Sequence, residues 1–329
     1  MNANSYSSPG TTGGNREDLR GPLTILEPEE TPFTSMLKKG PAPKATLVEV
    51  VADTLRAPRM SGSREGSSGA KGGNKAVKRQ RFGSYVHRWH DTFGVTDVQQ
   101  AITEAGGNAV TTDEYADAKA KCIREVKRDI EATICANQDG QGGSDDEMRS
   151  RGLFKWLASS QTPSVPSDFQ APADQRVTSL ATLTEGQLQT TLKSLKKNYG
   201  GARSYECIAG NDYCEDFDNF TRLRSDTNTE RYRVTEMASE QKISMVVKVF
   251  ESSFGRLNII PSEFLNITAA GVGDVDALAI INRDLWELLF LDELHSADDD
   301  PDAGGLSGYV KAIGGLFCRM PKGSAFIMN

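Results

Sequence analysis

Histidine is scarce in this chain, cysteine is scattered, and no long apolar run occurs; each shortage removes a class of function. Among 329 residues only His87, His90 and His295 carry imidazole. His87 and His90 stand three apart in VHRWH, with no neighbouring Cys or carboxylate cluster. On a strand that spacing sends them to opposite faces, so a structural role is expected rather than a metal centre. The five cysteines, Cys122, Cys135, Cys207, Cys214 and Cys318, are odd in number and far apart. A chain this long needs no disulfide staples, so they read as reduced, mostly buried thiols of a protein made in a cytoplasm. No segment approaches the ~18 consecutive apolar residues of a membrane span. The opening MNANSYSSPGTTGGN has neither a basic nor an apolar region, so it reads as a flexible polar arm and not as a secretory signal. A GxSxG elbow, a catalytic Cys signature and a GK[ST] phosphate loop are all missing. The glycine-rich stretch 62–73 leads into a β-prone run rather than a helix, so it is not read as a phosphate cradle. Neither a catalytic site nor a cofactor is expected.

Against these shortages stands one excess. From Arg56 to Arg88 there are nine Lys/Arg (Arg56, Arg59, Arg64, Lys71, Lys75, Lys78, Arg79, Arg81 and Arg88) and one acid, Glu65. The whole chain carries 38 basic and 45 acidic residues, a net charge of −7. Removing this segment leaves 29 basic to 44 acidic, or −15. The middle of the segment, MSGSREGSSGAKGGNKAVKRQR, holds too little apolar surface to order itself. Two β-prone runs flank it, Thr46–Val51 and Phe82–His87. Two strands with a basic tip, opposite in charge to their own body, suit an excursion that reaches a neighbouring copy. The Lys78–Arg81 run has one aromatic neighbour, Phe82, which favours contact with an acidic protein surface over a grip on nucleic acid. Net acidity likewise suits a protein that coexists with packed nucleic acid without adhering to it.

Residues 15–37 read as extended chain punctuated by Pro22, Pro28 and Pro32, ending in a short helical turn. Lys38–Pro43 reads as a break. Thr111 with Glu114 matches a capping box. Tyr115, Ala118, Cys122, Val126, Ile130 and Ile134 then form one apolar stripe of a helix over about 111–138, some 40 Å long. Gly152–Leu157 and the proline-rich 161–176 read as an irregular connection. A helix with Leu188, Leu192 and Leu195 is predicted over Thr184–Tyr199, a strand over Tyr205–Ala209, and a helix capped by Asn211 reaching about Leu223. Lys242–Phe250 and Gly255–Ile260 read as a hairpin turning at Glu251–Phe254. Ala277–Asn282, Leu285–Leu291, Gly308–Cys318 and Ser324–Met328 are strand-like. Asp298, Asp299, Asp300 and Asp302 lack the offsets of a calcium loop and read as solvated acids or as partners for another subunit's lysines.

The ordered set of short motifs resembles the tailed-bacteriophage major capsid (major head) proteins of the Hong Kong 97-type fold. It comprises Arg16-Glu17-Asp18-Leu19, Thr31-Pro32-Phe33, the run Ile123 to Glu131, Phe254-Gly255-Arg256-Leu257, and Lys311–Phe317 followed by Pro321-Lys322-Gly323-Ser324-Ala325. The family's closing asparagine is replaced by Met320. The resemblance implies an α+β fold with an N-terminal arm over 1–44 and an extended β-hairpin loop over 45–90. A peripheral domain over 91–177 would contain the spine helix at about 111–138. An axial domain would follow over 178–306, and residues 307–329 would return to the peripheral domain.

The function so implied is a shell subunit that self-assembles, as hexamers and pentamers, into an icosahedral head around double-stranded DNA, without sequence-specific binding and without a membrane. Subunit contacts would come from Arg56, Arg59, Arg64, Lys71, Lys75, Lys78, Arg79 and Arg81 of the extended loop, and from Arg16, Asp18, Leu19, Pro32 and Phe33 of the arm. No long scaffolding segment and no removed propeptide are expected before the first motif. A separate scaffolding protein, a portal and a cementing protein are then the further candidate partners. Some relatives crosslink a loop lysine to an asparagine; Lys71 and Lys75 lie in that region, but the sequence singles out no buried acid to catalyse the reaction. The expected location is the virion, after assembly in the host cytoplasm. An encapsulin-like compartment shell, or another structural component of a phage particle, is the alternative.

Overall fold

The structure, a computed structural model, describes residues 31–53, 60, 65, 79–101, 113–143, 147–180, 182–199, 204–220, 248–266, 276–299 and 304–329. In chain order its elements are α1 (Pro32–Met36), β1 (Lys38–Lys39), β2 (Leu47–Ala52), β3 (Gln80–Tyr85), β4 (His87–Thr96), α2 (Asp97–Ala101), α3 (Glu114–Cys135) and α4 (Leu153–Leu157). They continue with β5 (Arg176–Val177), α5 (Glu185–Asn198), β6 (Ser204–Ala209), α6 (Asn211–Asn219), β7 (Val249–Ser252), β8 (Gly255–Pro261), β9 (Ala277–Ile281), β10 (Trp286–Asp298), β11 (Gly305–Cys318) and β12 (Ala325–Met328). Packing divides the described chain into a smaller unit, within 89–128 and 294–311, and a larger one, within 31–88, 129–293 and 312–329.

In the smaller unit the strands β4, β11 and β10 are neighbours. Trp89, Phe93 and Val310 are buried, as are Cys122 and Val126 of the α3 stripe. The rings of Phe93 and Tyr115 meet at a tilt of 48°, 5.3 Å between centres. The start of α3 is capped by Asp113, whose Oδ1 accepts from the backbone N–H of Tyr115 (3.1 Å) and Ala116 (3.2 Å). The Thr111 expected in a capping box lies outside the described residues. At 22 residues α3 is about 33 Å long.

The larger unit is built on a six-stranded sheet ordered β5-β12-β9-β6-β8-β7. β6–β8 and β5–β12 are parallel pairs, and the other described pairings are antiparallel. One face buries Tyr205, Cys207, Leu257, Ile259, Leu278, Ile280 and Ile327 against Leu188, Leu192 and Leu195 of α5 and Tyr213 and Phe217 of α6. The period of two in the strands and of three and four in the helices makes these one apolar layer. The β9 strand is buried at every position, because its other face is covered as well: Phe326 of the adjacent β12 meets Phe154 of α4 edge-on at 5.9 Å. Helix α5 is capped by Thr184, whose side chain accepts from Gln187 N–H at 3.2 Å.

Several local readings need correction. Gly152–Leu157 is not irregular: α4 buries Leu153, Phe154, Trp156 and Leu157, and the indole N–H of Trp156 donates to the Leu316 carbonyl at 3.1 Å. Lys38 and Lys39 do not break the chain but form β1, parallel to β10 with Lys38 opposite Glu287. The cap position of α6 is Gly210, and the helix stops at Asn219. The β10 strand continues to Asp298, absorbing the start of the expected acidic loop. Four cysteines are buried, Cys214 is partly so, and all five are free thiols. Among the described residues, no helix is long and apolar enough to cross a membrane.

Candidate functional site

The basic excursion grows from the antiparallel pair β2–β3, which runs in register from Leu47 opposite Tyr85 to Ala52 opposite Gln80. Its root is fixed. Phe82, Gly83 and Ser84 are buried in succession, so β3 is packed on both faces while Glu49 and Val51 of β2 face solvent. Gly83 is required where β2 crosses, since a Cβ there would stand 1.9 Å from the Val48 carbonyl oxygen. Phe82 lies 5.5 Å from the ring of Phe169 and meets Trp156 edge-on at 6.5 Å.

Beneath Phe82 sits a polar hub. The Ser84 hydroxyl accepts from the Arg151 backbone N–H at 2.9 Å. The wholly buried Arg151 side chain donates from Nε to Asp139 (3.3 Å) and from its terminal nitrogen to the Pro163 carbonyl. Its guanidinium carbon lies 4.6 Å from the centre of the Trp156 ring. Burial lowers the pKa of Arg151, and Asp139 opposes that fall. Asp139 also accepts from the backbone N–H of Gly140 (2.9 Å) and Thr162 (2.8 Å). One side-chain pair thus ties three backbone segments to the foot of the hairpin.

The arm has a root of the same kind. Pro32 opens α1, and Phe33 is wholly buried in its own chain. The backbone N–H groups of Phe33 and Thr34 donate to the carboxylate of Glu131 at 2.8 and 2.7 Å, and the Thr34 hydroxyl donates to the same group. Glu131 lies on the α3 segment inside the larger unit and is itself wholly buried. Burial raises its pKa, and the three donors pull against that rise. Two motifs that look independent in the sequence, Thr31-Pro32-Phe33 and the run ending in Glu131, meet here in one contact.

Of the loop residues expected to reach a neighbour, Arg79 and Arg81 are exposed beside the root. Arg56, Arg59, Arg64, Lys71, Lys75 and Lys78 lie outside the described residues, as do Arg16, Asp18 and Leu19 of the arm. The hub residues Ser84, Asp139 and Arg151, and the anchor Glu131, were not singled out by sequence. For Glu131 one signal exists: Cys135, a turn further on, is apolar, so the buried face of α3 is wider than its main stripe. Asp298 is engaged within its own chain: its carboxylate accepts from the Tyr115 hydroxyl (2.8 Å) and from Lys119 (2.9 Å), and Lys119 first of all holds its pKa down. His87, on β4, has its pKa lowered to about 4 by burial and by the nearby Arg149. His90 instead stacks on Tyr309 at 5.6 Å.

The fold matches solved shells over nearly its full length. The capsid of cyanophage A-1(L) aligns with a TM-score of 0.62 at 10% identity, covering 95% of this chain and 96% of that one. The capsid of the native GTA particle gives 0.60 at 10% identity, covering 98% of each. The SrpI encapsulin of Synechococcus elongatus PCC 7942 gives 0.55 at 10% identity, covering 95% and 91%. At such identities the likeness establishes the fold, which is α+β and of the Hong Kong 97 type. Comparison with curated proteins finds no match. The family model decides between a phage head and an encapsulin compartment: it matches residues 4–329, and the chain, a structural shell subunit and not an enzyme, belongs to the SU10 major capsid protein family.

Proposed function

We propose that copies of this capsid protein close into hexamers and pentamers by laying two extensions on neighbouring subunits, the basic hairpin and the N-terminal arm. The observation that carries this is the contrast along β3: Phe82 and Ser84 are locked into the body, while Arg81, at its other end, and Arg79, just before the strand, are exposed. A rigid foot under a basic end directs positive charge outward from a body that is otherwise −15. Each exposed ion pair contributes only ~0–1 kcal/mol, and many copies in one shell add these small terms by multivalency. Because such pairs are screened, the contacts weaken with salt.

In this reading residues 1–44 are the arm, 45–90 the extended loop, 91–177 the peripheral domain with α3 as its spine, 178–306 the axial domain, and 307–329 the return to the peripheral domain. The shell forms in the host cytoplasm, encloses double-stranded DNA without reading its sequence, and takes a separate scaffolding protein, a portal and a cementing protein as further partners.

The test is negative-stain electron microscopy of the full chain against a variant carrying Lys78→Glu, Arg79→Glu and Arg81→Glu, each expressed alone and with a scaffolding protein. Shells or rings in the native chain that are absent from the variant, and that dissociate as salt is raised, are the expected result. A variant that assembles as completely as the native chain sinks the role given to the hairpin.

A further inference from the structure

We propose that Glu131 aims the N-terminal arm: by holding the first turn of α1, it fixes the point on the body from which the segment before Thr31 departs. This rests on the reading that the arm contacts a neighbouring subunit, and it names the residue that positions it.

The backbone hydrogen-bond donors of α1 show why an acid stands at position 131. The first turn of any α-helix leaves N–H groups without a partner inside the helix. In α1, Pro32 has no N–H to satisfy. The next two, of Phe33 and Thr34, both go to Glu131, and that of Ser35 goes to the Thr31 carbonyl at 3.1 Å. Thr31, at the cap position, makes no capping bond with its own side chain. The cap of α1 therefore comes from a carboxylate 98 residues away from Phe33 in sequence. Packing alone does not explain an acid here, because a wholly buried carboxylate is costly unless donors surround it. An apolar residue would fill the space and leave the two N–H groups unpaired. Only an ionised acid accepts from both amides and from the Thr34 hydroxyl together; glutamine has a single acceptor oxygen. Phe33, buried beside this contact, resists sliding, while the carboxylate sets orientation. A five-residue helix has too little length to hold its own direction, so the direction is imposed from α3.

The test uses the full chain with Glu131→Ala, Glu131→Gln and Thr34→Val, read by amide hydrogen exchange and by electron microscopy of assembled particles. In Glu131→Ala, the amides of Phe33 and Thr34 should exchange ~10–100-fold faster, as expected for lost hydrogen bonds to a charged group. Those of β6 and β9 should keep their protection, and the yield of closed particles should fall. Glu131→Gln should be intermediate in both readouts. Unchanged exchange at 33–34, or particles as abundant as native despite fast exchange there, overturns the proposal. If Glu131→Ala unfolds throughout, Thr34→Val decides: fewer particles with β6 and β9 still protected supports it, and native particle yield overturns it. A separate variant, Arg16→Glu with Leu19→Glu, leaves the anchor in place and tests the arm itself. Native assembly by that variant overturns the arm-contact reading, whereas its failure to assemble leaves the Glu131 variants as the measure of the anchor.

Discussion

Two regions of the larger unit are held together by different chemistry. Beneath the six-stranded sheet, Leu188, Leu192, Leu195, Leu257 and Ile280 meet as one apolar layer. Beneath the hairpin and at the arm, the central buried groups are Arg151, Ser84 and Glu131. Apolar burial is strong but non-directional, so it sets how firmly elements adhere and not the angle at which one leaves. Hydrogen bonds to a buried charge are directional. Under the proposed function the difference teaches where a shell subunit needs precision: the sheet core must simply hold, whereas the two extensions proposed to meet a neighbour must leave the body in a defined direction. Among the described residues, two of the three buried charged side chains, Arg151 and Glu131, are found at those two roots; the third, Asp276, accepts from the Tyr213 N–H of α6 at 2.8 Å.

The sharpest way to break this comparison is to make the same kind of substitution in both regions. Arg151→Met keeps most of the volume but leaves the Asp139 carboxylate without its buried partner. Breaking such a pair from one side is expected to cost ~3 kcal/mol. Chemical unfolding would read this as a lower midpoint with unchanged slope, accompanied by faster amide exchange in β2 and β3. A loss below ~1 kcal/mol would show that Arg151 only fills space, since surface-like substitutions fall in that range.

A second way uses pH, because one titrating group stands at the foot of the hairpin. In the folded chain burial, and then Arg149, lower the pKa of His87 from 6.5 to about 4. The unfolded chain takes up this proton near 6.5, so between the two values it binds more protons than the folded one. Stability from this group is therefore complete above pH 6.5, declines as pH falls, and levels off below about 4. The decline is on the order of 2 kcal/mol after allowance for the partial exposure of the ring. His87→Gln should flatten the stability profile over pH 4–6.5. An identical slope in the variant would assign the acid sensitivity to other groups.

The apolar region was far more legible in the sequence than the roots, and the reason is physical. Cys122, Val126, Ile130 and Ile134 repeat at helical spacing, and Leu188, Leu192 and Leu195 do the same, so α3 and α5 follow from the pattern. The hairpin follows from two β-prone runs around a stretch that cannot bury itself. Glu131 is a charged residue buried against donors 98 and 97 residues away, and Asp139 and Arg151, though only 12 apart, sit in no periodic pattern that marks a charged side chain for burial. Helix α4 was hidden for a related reason: LFKWL is too short to show a period, and its apolar side chains are buried by partners distant in sequence, Phe326 among them. Lys38-Lys39 looked like a break because pairing with Glu287 is a tertiary event. At Asp298, an acidic run suggested a solvated loop, although Tyr115 and Lys119 engage its first carboxylate.

The counterpart to the arginine substitution is Leu192→Met, at the centre of the apolar layer. Methionine keeps the volume and adapts its shape, so the expected loss is below ~1.5 kcal/mol. Assembly should be unchanged, because nothing directional is altered. If Leu192→Met proved as damaging as Arg151→Met, the contrast between a tolerant core and exacting roots would fail.

The smallest effect comes from a polar contact placed inside the tolerant region. Thr184 caps α5 by accepting from Gln187 N–H, at a position open to solvent. Removing it in Thr184→Ala should cost ~1 kcal/mol, the usual cost of losing a side-chain cap. Thr184→Asp should be neutral or slightly stabilising, since it keeps the acceptor and adds negative charge at the helix N-terminus. Water can satisfy the exposed Gln187 N–H in the alanine variant, which is why this polar contact is cheap to lose while that of Glu131 is not. Exchange protection in β2, β3 and α1 should be untouched in both variants. Faster exchange at Phe33 or Thr34 in Thr184→Ala would show that the two regions are coupled, and that direction at the arm depends on the sheet core as well as on its own buried carboxylate.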